Sequence, residues 1–239
     1  MFSNAMVFVP PRRWNSSIKS EMLPEVRPAS GLLGTDNQYQ MPFAMTLSSI
    51  LSENEKVLLM DFQENSGLSR MLEQSVEHNL DELLVMAESG RYSTNRINSC
   101  IGRKHKLDYV YPIENTECLC EINTVICNNL LQMLGKEMHY DCIVLNMGTR
   151  FKGFFDILGR CSDIYLVQKK GGISQWREYE FTEELIERGL SNVVERIKLI
   201  EPPVITTPVS TCDKLVELWK WNEFGDVIRN MTRGISCAG

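Results

Sequence analysis

KVLLMDFQ, residues 56–63, is the stretch on which the reading of the fold turns. Val57, Leu58, Leu59 and Met60 follow one another without a polar break, and Asp61 closes the run. A strand with one wet face alternates apolar and polar residues, whereas an unbroken run of this length suits a strand covered on both faces. Strands of that kind belong to parallel sheets. Working outward, the same signal returns at residues 107–111, 142–145 and 164–167. Helical spacings lie between these runs, at residues 42–51, 81–87, 118–134, 151–158 and 176–188. In the first of them Phe43, Leu47 and Ile50 share one face, and Pro42 suits a first-turn position. Strands alternating with helices predict an α/β fold: a doubly wound, mostly parallel sheet flanked by helices. In such sheets functional groups collect at the carboxyl ends of the strands, so residues 61–63, 112–114, 146–149 and 168–171 are the positions to inspect.

The 239 residues suit one large domain with its own core. A hydrophobic content of 43% against 23% charged residues predicts a chain that folds rather than one that stays disordered. The net charge of -6 offers no general attraction to nucleic acid or to anionic lipid, and neither is expected as a partner. The apolar runs are strand-sized, far short of the roughly 20 residues that cross a bilayer, so no stable membrane insertion is expected. Residues 6–9 are too short for a secretory signal core, and the reading is cytoplasmic. The eight cysteines are therefore expected to be reduced thiols. Cys118, Cys120 and Cys127 match no zinc spacing, and His78, His105 and His139 have no partner at metal or triad spacing, so no metal site is expected.

Residues 1–40 carry Pro10, Pro11, Pro24, Pro28, Gly31 and Gly34 among polar residues and read as an irregular segment with a candidate first strand at residues 6–9. Residues 41–239 read as the α/β domain proper, the whole making one domain.

KVLLMDFQENSGLSRML, residues 56–72, resembles the second strand and following loop of the ParA/MinD class of P-loop ATPases. YDCIVLNMGTRFKGFFDILGRCSDIYLVQKK, residues 140–170, resembles their later strand, switch loop, helix and next strand. Within that class the likeness is to TadZ/CpaE-like pilus-assembly proteins of Gram-positive anaerobes. The resemblance implies a nucleotide pocket at Gln40, Asp61, Gln63 and Asn146, and three of these positions, 40, 63 and 146, depart from the class pattern. No lysine occurs from Ser20 to Glu55, and Gln40 or a neighbour stands where the phosphate-binding lysine belongs. Gln63 stands where the class has a second acidic residue that positions water. Asn146 stands where it has an aspartate that helps hold Mg²⁺, and a neutral carbonyl serves a hard cation less well than a carboxylate.

Phosphoryl transfer rests on positioned charge, so the loss of a lysine and two carboxylates predicts a pocket that is vestigial, a protein that is not an enzyme and no bound cofactor, whether ATP or Mg²⁺. On that reading the chain is a pseudo-ATPase that assembles or positions protein components of a pilus or secretion machine and forms a homodimer. The alternative is an ATP-binding dimerisation switch of the same class with atypical site residues. Asp61 is open to two readings, a site residue or a solvated strand end. Residues 153–155 (GFF) are read as core and residues 169–172 (KKGG) as a solvated loop. Leu215, Leu218, Trp219 and Val227 are expected to pack a C-terminal helix onto the domain, since its mixed charges do not suit a membrane surface.

Overall fold

A computed structural model describes residues 29–34, 37–72, 78–113, 117–169, 171–205 and 212–233. The candidate strand at residues 6–9 lies outside them. The first described strand, β1, is Ala29–Gly34, and α1 (Asn37–Leu51) follows it after two residues. Ordered elements therefore begin well before residue 41, within the stretch read as irregular. The glycines and polar residues that suggested a loop sit in a six-residue strand, ASGLLG. Pro42 does not open α1 but lies at its sixth position, where it costs an i→i−4 hydrogen bond near the start of the helix. Buried Tyr39, Met41, Phe43 and Ala44 carry the helix through it.

The chain continues through β2 (Val57–Asp61), α2 (Leu68–Leu72), α3 (Leu80–Ser89), α4 (Thr94–Ser99), β3 (Ile101–Lys104) and β4 (Leu107–Val110). Next come α5 (Glu117–Glu121), α6 (Thr124–Glu137), β5 (Cys142–Asn146), α7 (Phe154–Arg160) and β6 (Cys161–Val167). The last part holds α8 (Gly172–Glu187), α9 (Ser191–Val194), β7 (Ile197–Ile200), α10 (Cys212–Lys220) and α11 (Glu223–Arg233). The strands form one seven-stranded sheet in the order β3-β4-β2-β5-β1-β6-β7, parallel except for the β3–β4 pair. This is the doubly wound, mostly parallel sheet that the apolar runs predict. Every residue of β2, β4 and β5 is buried, as strands covered on both faces must be.

The helix expected over residues 118–134 is two helices. Asn123 breaks it, because its extended backbone and its side chain, which accepts from the amides of Val125 (2.9 Å) and Ile126 (3.1 Å), cap a new helix. Phe154 is fully buried in α7 and stacks edge-on with Phe151 at 5.9 Å, while Phe155 is half-buried and packs against the edge of the core. At the C-terminal end Trp219 is buried and Lys220 pairs with Glu53 at 2.9 Å. Phe43 of α1 lies 6.2 Å from Tyr165 of β6 and 6.1 Å from Phe224 of α11, so α1 is wedged between the sheet and the last helix. No helix among the described residues is long and apolar enough to cross a membrane.

Candidate functional site

The sheet order reverses at β1. The chain moves from β1 outward to β2 and β4, returns to place β5 between β1 and β2, and then crosses to β6 and β7. Parallel sheets leave a crevice outside the carboxyl ends of the strands at such a point. β2 ends there on Asp61 and β5 ends on Asn146, and the two are direct partners in the strand register although 85 residues separate them. Helix α1 adds Gln40 from its first turns.

The four residues singled out in the sequence meet here as one hydrogen-bonded cluster. Asn146 Nδ2 donates to Asp61 Oδ1 at 2.7 Å and to Gln63 Oε1 at 3.1 Å, while Asn146 Oδ1 accepts from Gln40 Nε2 at 2.9 Å. The amide of Asn146 is thus used at both ends. All four residues are buried, and Gln40 and Asn146 are wholly so. Asp61 is accordingly not a solvated strand end.

Three donors converge on the Asp61 carboxyl. Besides Asn146, the Gln63 backbone N–H donates to Oδ1 at 3.1 Å and the Ser66 hydroxyl donates to Oδ2. These bonds favour the ionised form, but burial opposes it more strongly and pushes the carboxyl up to about 7. Asparagine at 146 matters to this balance. An aspartate there would set two carboxylates against each other in a dry pocket, each raising the cost of ionising the other.

Ser66 belongs to the site and is not marked by the sequence reading; Gly148 and Thr149 also belong to it and lie within the strand end at residues 146–149 that the reading marks. Ser66 follows a loop with Asn65 at φ 51° and precedes Gly67 at φ 83°, and that turn brings its hydroxyl back to Asp61. A Cβ on Gly148 would collide with Cγ of Gln63, so the residue after Met147 must be bare for Gln63 to reach Asn146. Thr149 Oγ1 accepts from the Glu64 N–H at 2.9 Å and its own N–H donates to the Phe62 carbonyl at 3.2 Å, tying the β5 loop to the β2 loop. A short polar residue beside an asparagine or a glycine is the sequence signal for such turns, though it does not say which partner the turn will find. Elsewhere along the crevice, Gln168 after β6 is buried, with its Oε1 unpartnered among the described residues.

The cluster is an oxygen-rich set with one ionisable member. Gln40 Oε1 is buried with no hydrogen-bond partner among the described residues, on the side chain whose Nε2 donates to Asn146 Oδ1. An orphaned acceptor among oxygen ligands fits a hydrated Mg²⁺, whose water shell donates outward. No group of three or more His, Cys, Asp or Glu side chains among the described residues is placed to hold a metal ion. A cation at this cluster would therefore need oxygens from a second source, such as a phosphate chain.

Solved structures of the P-loop NTPase fold in its ParA/MinD form share this doubly wound, mostly parallel sheet. A ParA family ATPase from Chlorobium tepidum TLS superposes with a TM-score of 0.57 at 11% identity, covering 82% of this chain and 93% of that one. MinD, a cell division protein of Aquifex aeolicus, gives 0.54 at 15% identity, covering 84% and 92%. A plasmid partition protein from Borrelia burgdorferi B31 bound to AMPPNP gives 0.53 at 19% identity, covering 80% and 83%. No protein-family model matches the sequence, and a search of curated proteins finds no match. The fold is thus the one expected. The expectation that the protein is not an enzyme is overturned, since the proteins that share its fold include an ATPase.

Proposed function

We propose that this protein is an ATP-binding switch of the ParA/MinD class that changes its self-association with the nucleotide it holds. The observation that carries the reading is the convergence of Gln40, Asp61, Gln63 and Asn146 into one buried cluster at the reversal point of the sheet. A nucleotide-bound neighbour of the same fold, the Borrelia partition protein with AMPPNP, supports it. Resemblance of residues 56–72 and 140–170 to pilus-assembly proteins further suggests components of a pilus or secretion assembly as partners.

The chain's own residues divide the work. Asp61 supplies the cluster's one carboxylate, and its oxygens face Asn146 and Ser66 rather than bulk water. Asn146 and Gln40 fix its orientation through a chain of amide hydrogen bonds. Gln63, with its Oε1 held by Asn146, keeps an Nε2 free to donate to an acceptor in the crevice. Mg²⁺, when bound with the nucleotide, supplies the positive charge that phosphate oxygens require; Asp61 through water and Gln40 Oε1 would hold it. Because Asp61 gains a proton near neutrality, this arrangement holds a cation best above pH 7.

Sedimentation velocity of the full chain without nucleotide, with MgADP and with MgATP tests the switch. A sedimentation coefficient that differs between MgATP and the nucleotide-free protein is expected. Identical distributions in all three conditions would contradict the proposal.

A further inference from the structure

A second cavity adjoins the cluster on its β4 side. It has a volume of about 420 Å³ and lies between the loop that follows β2 and the end of β4. One wall is polar, made by Gln63, Ser66, Ser69 and Arg70; the other is Tyr111 with Pro112 and Ile113. Its size falls in the lower part of the range for small-ligand pockets, roughly 300–1,000 Å³.

The chemistry of the polar wall selects the ligand. Arg70 is exposed and its guanidinium has no carboxylate partner among the described residues. Among the described residues no Asp or Glu lines the cavity, which disfavours a cation. Gln63 is 7% exposed and its Nε2 makes no hydrogen bond, while its Oε1 is already taken by Asn146. With the Ser66 hydroxyl donating to Asp61, a guanidinium, an amide N–H₂ and the Ser69 hydroxyl remain, and the three terminal oxygens of a phosphate monoester present one to each. The opposite wall, a tyrosine ring with Pro112 and Ile113, suits a flat apolar body attached to that phosphate.

We propose that this cavity binds a small phosphorylated ligand, a phosphate monoester with a flat ring or similar body. Gln63 joins it to the cluster, since it touches Asn146 on one side and lines the cavity on the other.

The test is a titration of the ¹⁵N-labelled full chain with inorganic phosphate and with phenyl phosphate, which carries the ring without being a nucleotide. Saturating shifts are expected at the backbone amides of Ser66, Ser69, Arg70 and Tyr111, with phenyl phosphate binding more tightly than phosphate. Arg70→Ala, a change at an exposed position, is expected to weaken both by roughly tenfold or more while leaving any response to MgATP in place. Shifts confined to residues of α1 and β1, or equal affinity in Arg70→Ala, would overturn the site. Either failure leaves the sedimentation test of the nucleotide switch standing on its own.

Discussion

Asp61 releases its proton near 3.8 when the chain is unfolded and only near 7 when folded, because burial outweighs the three hydrogen bonds that favour its charge. Between those values the folded protein binds the extra proton, so this group's contribution to stability is fully present at low pH and is lost as pH rises through about 7. At about 1.4 kcal/mol for each unit, the loss is roughly 2 to 4 kcal/mol. Asp61→Asn should therefore be more stable than wild type at pH 8 and about equal to it at pH 4, since an amide at 61 still accepts from Asn146 while the Ser66 hydroxyl turns to accept from it. Urea unfolding at the two pH values checks this; a wild type that gains stability from pH 4 to pH 8 through this residue would contradict it. Asp61, Gln63 and Asn146 were legible because each follows an unbroken apolar run, which places it at a strand end. Gln40 was legible only through its resemblance to a lysine position. Ser66 was not, because a turn geometry fixes it and leaves no periodic trace; Gly148 fell within the strand end at residues 146–149, but its need to be bare is set by the volume of Gln63.

At the scale of elements, periodicity found β2, β4, β5 and β6 and missed the two edges of the sheet. β3 reads IGRK and β7 reads IKLI, four residues each and only partly buried, so neither carries the continuous apolar run of a central strand. β1 was hidden by its glycines, which signal turns more often than strands. The break between α5 and α6 was hidden because Ile122 lies on the apolar face of both segments, and the cap beside it is a single asparagine. That cap has a measurable weight. Asn123→Ala removes the acceptor of two amide protons at the start of α6 and should destabilise the protein by about 1 kcal/mol. A shift in the urea midpoint without a change in slope is the expected readout, and an unchanged midpoint would mean that tertiary packing alone sets the start of that helix.

For the whole molecule, the sheet brings residues 40, 61 and 146 to one point because β5 returns between β1 and β2, and it leaves a second pocket where β2 meets β4. The sequence carried the layered α/β plan, since that plan depends on which runs are buried. It led to the reading of a protein that is not an enzyme, because the loss of a lysine and two carboxylates was weighed against a pattern; the folded chain joins the residues at those positions into one hydrogen-bonded unit. The central claim is that this unit receives ATP. Thermal melts of wild type and Asn146→Ala, each with and without millimolar MgATP, test it most directly. A ligand at a hundredfold excess over its Kd adds about 2.7 kcal/mol, which for a chain of this size raises the midpoint by roughly 5 to 10 °C. That rise is predicted for wild type and its loss for Asn146→Ala; a wild type whose midpoint does not move would contradict the account.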